Sequence, residues 1–165
     1  MSAEGWETDP NKKILISDII GESFEDDFYS FDMTEVQDLV SHLQNDDAID
    51  LPHAEVLQQK ALRCADILSE YIGKVVKAVS YYDAKITSTK NGAALNYTNS
   101  GGKTTMDMRR YAGESDPEVE RLNLALAKVK GTKAVLDKKY EIVIKSHHHY
   151  KDIAAGLRKT VLGYN

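Results

Sequence analysis

Between His53 and Tyr82 the residues Leu57, Ala61, Cys64, Leu68, Tyr71, Val75, Ala78 and Tyr82 follow one another at alternating steps of four and three. That spacing is a heptad seam, which keeps one stripe of an α-helix turned toward a partner helix. A second seam opens after the segment ESDPEVE and runs through Val119, Leu122, Leu126, Val129, Lys133, Leu136, Tyr140, Val143, His147, Tyr150, Ala154 and Leu157. Ser115 or Asp116 suits its N-cap, Pro117 its first turn, and the acids that follow the positive end of the helix dipole. At 1.5 Å per residue this second helix reaches about 60 Å, so it projects or bends instead of curling into a globule. Gly131 is the expected place for a kink, and Gly73 weakens the first helix by roughly 1 kcal/mol relative to Ala.

The flanking segments are less regular. In DMTEVQDLVSHLQND, Thr34 can cap a short helix whose stripe is Val36, Leu39, Val40 and Leu43. Residues 1–31 read as an acidic arm, and 32–165 as one helical domain for nucleic-acid binding and oligomerisation. Between the two seams, KITSTKNGAALNYT places an Asn-Gly turn among Thr, Ile, Leu and Tyr, which predicts a small β-hairpin at the tip. The expected fold is therefore mainly α: long helices with heptad-like seams forming a helical hairpin, with a small β-hairpin or loop at its tip. Two helices do not fully bury two such seams, so self-association is expected. The oligomerisation residues are then Leu126, Val129, Leu136, Tyr140, Val143, Tyr150 and Ile153.

Several kinds of chemistry fall away on spacing. Gly102-Lys103-Thr104 resembles the end of a phosphate-binding P-loop, yet the position of the required first glycine is held by Tyr97. His147, His148 and His149 are adjacent, so on a helix they point about 100° apart and do not share one ion. The single cysteine, Cys64, lies in the seam as a small core residue, and one thiol fits a reducing cytoplasm. With no nucleophile elbow and no catalytic carboxylate pair, the sequence reads as a non-enzyme without cofactor or metal. No run of 18 apolar residues is present, so no membrane span is expected.

Charge points elsewhere. The chain carries a net charge of −5, but residues 1–52 hold fourteen acids against two lysines, while residues 53–165 hold nineteen bases against twelve acids. An acidic segment thus precedes a basic body, the asymmetry of a domain that meets a polyanion. A band of cations and tyrosines surrounds the tip: Lys74, Lys77, Tyr81, Tyr82, Lys85, Lys90, Tyr97, Lys103, Arg109, Arg110 and Tyr111. Between Lys74 and Tyr111 seven bases face two acids, Asp83 and Asp107. Cations neutralise phosphates while tyrosine faces stack unpaired bases of any sequence, so single-stranded DNA is the expected ligand. The plainer reading is that Tyr71 and Tyr82 pack in the seam and the lysines form a solvated face.

The order of these features resembles the UvsY family of phage recombination mediators. DLVSHLQNDDAID matches the family pattern at Asp38, Leu39, Leu43, Asp46, Ile49 and Asp50; Lys77-Ala78 is followed by Tyr81-Tyr82; MDMRRY resembles a later Met-Asp-Arg-Tyr element; and DPEVERL opens a helix running through IKS to Lys151 and Ile153. The resemblance covers residues 35 to 157. The family's Leu-Lys-Ala-Arg element, implicated in DNA contact, appears here as VKAV, with Val79 in place of arginine and with Lys74, Lys85 and Arg109-Arg110 as candidates to compensate. The resemblance implies a homo-oligomeric ring of six or seven subunits that binds single-stranded DNA, weakens the hold of single-strand-binding protein and helps load a RecA-like recombinase. A coiled-coil scaffold protein of a phage with a protein-binding tip is the alternative.

Overall fold

The computed structural model describes residues 13–14, 31–32, 36–37, 40–41, 48, 50–99 and 105–163. Two long antiparallel helices dominate it. Helix α1 spans Leu51–Asn99, short helix α2 spans Met106–Glu114, and α3 spans Pro117–Val161. In the N-terminal part, β1 (Lys13–Ile14) pairs antiparallel with β2 (Phe31–Asp32), Lys13 opposite Asp32.

Each helix start has a local cause. Asp50 accepts the His53 backbone N–H at 2.8 Å, which satisfies one of the unpaired donors of the first turn of α1. Thr105 caps α2 by accepting from the Met108 N–H at 3.3 Å. Asp116 caps α3 through the Glu118 N–H at 2.8 Å, with Pro117 at its first position and Glu118 and Glu120 in the first turn. Arg158 and Lys159 complement the other end, where Gly163 turns the chain with φ of 69°.

The seam of α1 is buried as the heptad spacing requires: Leu57, Ala61, Cys64, Leu68, Tyr71, Val75, Ala78 and Tyr82 are all buried, and Ile86 extends the stripe. On α3 the buried set is Val119, Leu122, Ala125, Leu126, Val129, Thr132, Leu136, Val143, Tyr150 and Ala154. Thr132 keeps its hydroxyl satisfied by donating to the Lys128 carbonyl at 3.2 Å. Fully buried leucines such as Leu57, Leu68, Leu122 and Leu136 each contribute roughly 1.5–3 kcal/mol through burial. Val36, helical along with Gln37, Val40 and Ser41, joins the same core at 1% exposure. Leu39 and Leu43 of that expected stripe lie outside the described residues.

Contacts across the pair fix its register. The Lys130 ammonium lies 3.7 Å from the Asp83 carboxylate, the His147 Nδ1 lies 3.2 Å from the Gln58 carbonyl, and Arg158 pairs with Glu55 near the open end.

Three expectations need correction. The KITSTKNGAALNYT stretch is not a hairpin: it is the last third of α1, which continues unbroken to Asn99. Thr87, Thr89 and Thr98 donate their hydroxyls to carbonyls one turn back, so these polar residues are satisfied within a helix. Tertiary packing then overrides the turn propensity of Asn91-Gly92, because Ile86 joins the core and α2 lies against this part of α1. Second, α3 runs through Gly131 without a break in the helix, and open space surrounds that glycine. Third, the two seams bury each other over most of their length, with Lys133, His147 and Leu157 of α3 left half-buried. α1, at 49 residues, is long enough (about 73 Å) to cover nearly all of α3, and Leu126, Val129, Leu136, Val143 and Tyr150 are buried within one chain. Tyr140 is 36% exposed and Ile153 half-buried at the rim. Outside the seam, Val56, Leu62, Val76, Leu124 and Ile142 are exposed apolar residues.

Candidate nucleic-acid interface

The expected basic and aromatic residues divide into three groups. The first is a stripe on α1. Lys74, Lys77, Tyr81 and Lys85 are spaced by three, four and four residues, which stacks them on one face of a helix. The seam steps four residues from Tyr82 to Ile86, leaving Lys85 exposed beside Tyr81. The Lys85 ammonium lies 5.6 Å from the Tyr81 ring centroid and donates to its hydroxyl at 3.5 Å. Lys74 lies 5.4 Å from the Tyr71 ring centroid and pairs with Glu70 at 2.8 Å. Lys77 is exposed, and Tyr81 shows 44% of its surface. Asp83 faces the other flank, held by Lys130, so one of the two acids in this segment is absent from the stripe.

Tyr82 departs from the expected set. It is 4% exposed inside the core, with its ring edge-on to Tyr81 at 5.5 Å, so it offers no face for a base to stack on. Burial pushes its phenol above the ordinary tyrosine range, and the neighbouring Tyr81 adds to the shift.

The second group is Lys90 and Tyr97. Sixteen residues separate Lys74 from Lys90 and Tyr81 from Tyr97, which turns each about 160° away from the stripe. Lys90 is half-buried, and its carbonyl oxygen lies only 2.8 Å from where a Cβ on Gly113 would sit. The absence of a side chain at Gly113 is what lets α2 rest on α1 here. Tyr97 is 42% exposed.

The third group is carried by α2. Arg109 and Arg110 are exposed, Arg110 pairs with Glu114 at 3.0 Å, and Tyr111 is 71% exposed. Met106 and Met108 are exposed on the same short helix. Lys103 lies outside the described residues.

Grouping by sequence around the tip thus joins residues that the helices separate. It also passes over cations far from the tip on the stripe's own flank, for which heptad position is the signal. Among the described residues no cluster of three His, Cys, Asp or Glu side chains is placed to hold a metal ion, and no helix is long and apolar enough to cross a membrane. Comparison with family models, curated proteins and solved structures finds no match to this chain.

Proposed function

We propose that this protein binds single-stranded DNA without sequence preference and acts, without catalysing a reaction, as a recombination mediator of the UvsY type. The observation that carries the reading is the α1 stripe, where Lys77 and Lys85 flank an exposed Tyr81 ring on a rigid helix. Cations at that spacing neutralise successive phosphates, and an exposed phenol stacks a base whatever its identity. A helical scaffold holds these groups in place before the strand arrives, which lowers the ordering cost of binding. In this role a homo-oligomer, a ring of six or seven copies, displaces single-strand-binding protein and passes the strand to a RecA-like recombinase. The exposed apolar residues outside the seam supply the contacts between copies.

Fluorescence anisotropy with a labelled oligothymidylate tests the reading. Binding should weaken steeply as salt rises, with a slope of about −0.7 per neutralised phosphate. Replacing Lys77, Tyr81 and Lys85 together by Ala should cost at least about tenfold in affinity, since one stacked base alone contributes ~1–3 kcal/mol. Absence of binding at low salt withdraws the proposal. The exposed Met106, Met108 and Tyr111 on α2 favour the second reading, a scaffold protein whose tip holds another protein. That reading gains if the chain ignores DNA.

A further inference from the structure

The stripe does not end at Lys74. Lys60 and Arg63 stand fourteen residues before Lys74 and Lys77, two complete heptads, and so repeat their positions on the same side of α1. Helix α3 adds to that side. Lys74 lies nine residues before Asp83, and Lys139 nine residues after Lys130; at about 100° per residue nine steps make half a turn. Since Asp83 and Lys130 meet on one flank of the pair, Lys74 and Lys139 both lie on the opposite flank. Counted from the Asp83–Lys130 and Glu55–Arg158 ion pairs, side chains whose numbers sum to 213 meet across the antiparallel pair, so Lys139 falls level with Lys74, and Lys128, two residues before Lys130, level with Lys85. Arg63 and Lys128 are exposed, while Lys60 and Lys139 are half-buried. Of the acids between Lys60 and Lys85, Asp83 belongs to the opposite flank, which leaves Glu70, already paired with Lys74 at 2.8 Å, and Asp66 on this one.

From these placements we infer that the nucleic-acid site is a track along one flank of the helical pair, built from both helices. It runs from Lys60 to Lys85, about 38 Å along the axis, with Lys128 and Lys139 as its second wall. A single strand lies lengthwise on it with Tyr81 as the stacking platform, and the α2 tip is an end of the track instead of its centre. The inference rests on the proposed DNA-binding reading and assigns Lys60, Arg63, Lys128 and Lys139 to it.

The test compares two variants of the full chain, each lacking three positive charges. One is Lys60→Gln, Lys128→Gln, Lys139→Gln on the track. The other is Lys138→Gln, Lys145→Gln, Lys159→Gln, away from it. Affinity for oligothymidylate is measured by anisotropy over a salt series, with circular dichroism melts to verify that each variant folds. The track variant should show a salt slope shallower by about 2, since three contacts at about 0.7 each are lost, and the control should keep the wild-type slope. Equal loss in both variants means a diffuse charge effect and overturns the track. So does an unchanged slope in the folded track variant while wild type still binds, which leaves the DNA-binding reading intact. Failure of wild type to bind overturns both. If the track variant does not fold, Arg63→Gln with Lys128→Gln, at two exposed positions, should shift the slope by about 1.4, and no shift overturns the inference.

Discussion

Glycine to alanine is the smallest change that adds a side chain, and this protein should respond to it with opposite signs at different places. At Gly113 an added Cβ would lie 2.8 Å from the Lys90 carbonyl oxygen and 3.4 Å from its carbonyl carbon. Both contacts are with backbone inside a helix, so relief requires α2 to move off α1. Overpacking of this kind costs about 1–3 kcal/mol, and the better helix propensity of Ala returns about 1 kcal/mol. The net effect for Gly113→Ala is a loss of up to about 2 kcal/mol, concentrated at the tip. At Gly73 and Gly131 the same Cβ meets nothing within 4 Å, and both glycines are exposed in the middle of long helices. There the change lowers the backbone entropy of the unfolded chain with no steric cost, so each substitution should stabilise by about 0.4–1 kcal/mol. Urea melts of the three variants read the sign directly, and amide exchange across residues 86–114 shows where the loss falls. If Gly113→Ala stabilises as much as Gly73→Ala, the close approach of α2 to Lys90 does not exist in solution and the packing of the tip must be redrawn.

Two further outcomes follow from charge. The phenol of Tyr82 is held above its ordinary value of 10.0 by burial and by Tyr81. Below about pH 10 both folded and unfolded chains keep that proton and Tyr82 adds no pH dependence; above it the unfolded chain ionises first, so folding stability falls as pH rises. Absorbance at about 295 nm should show a late-titrating tyrosine that Tyr82→Phe removes, and uniform titration of every tyrosine near pH 10 would contradict its burial. The acidic N-terminal segment should weaken DNA binding by competing for the cationic surface. A chain beginning at Asp32 should therefore bind oligothymidylate more tightly at low salt than the full chain, and equal affinity would show that the segment exerts no such restraint.

The seams were the most legible part of the sequence, and the reason is geometric. A step of three and four residues returns a side chain to one face of a helix wherever that helix lies, so the burial of Leu57 through Tyr82 follows from spacing alone. The Asp116 cap and Pro117 were legible because they act on neighbours two residues away. The stretch from Lys85 to Thr98 was misread, since Asn91-Gly92 carries the local signal of a turn while its partners, Ile86 in the core and Gly113 on α2, act from a distance in sequence. The candidate site was legible as composition but not as arrangement. Lysines and tyrosines crowd residues 74–111, yet Tyr82 turns inward and Lys90 turns to the far side of α1.

What the sequence alone determined, then, is that two long helices form and which stripe of each is apolar, because helical periodicity is a property of a single segment. The tertiary structure decided that these stripes close on each other within one chain. It also set which flank Lys128 and Lys139 share with Lys74 and Lys85, because facing and register belong to a pair of helices and to neither one alone.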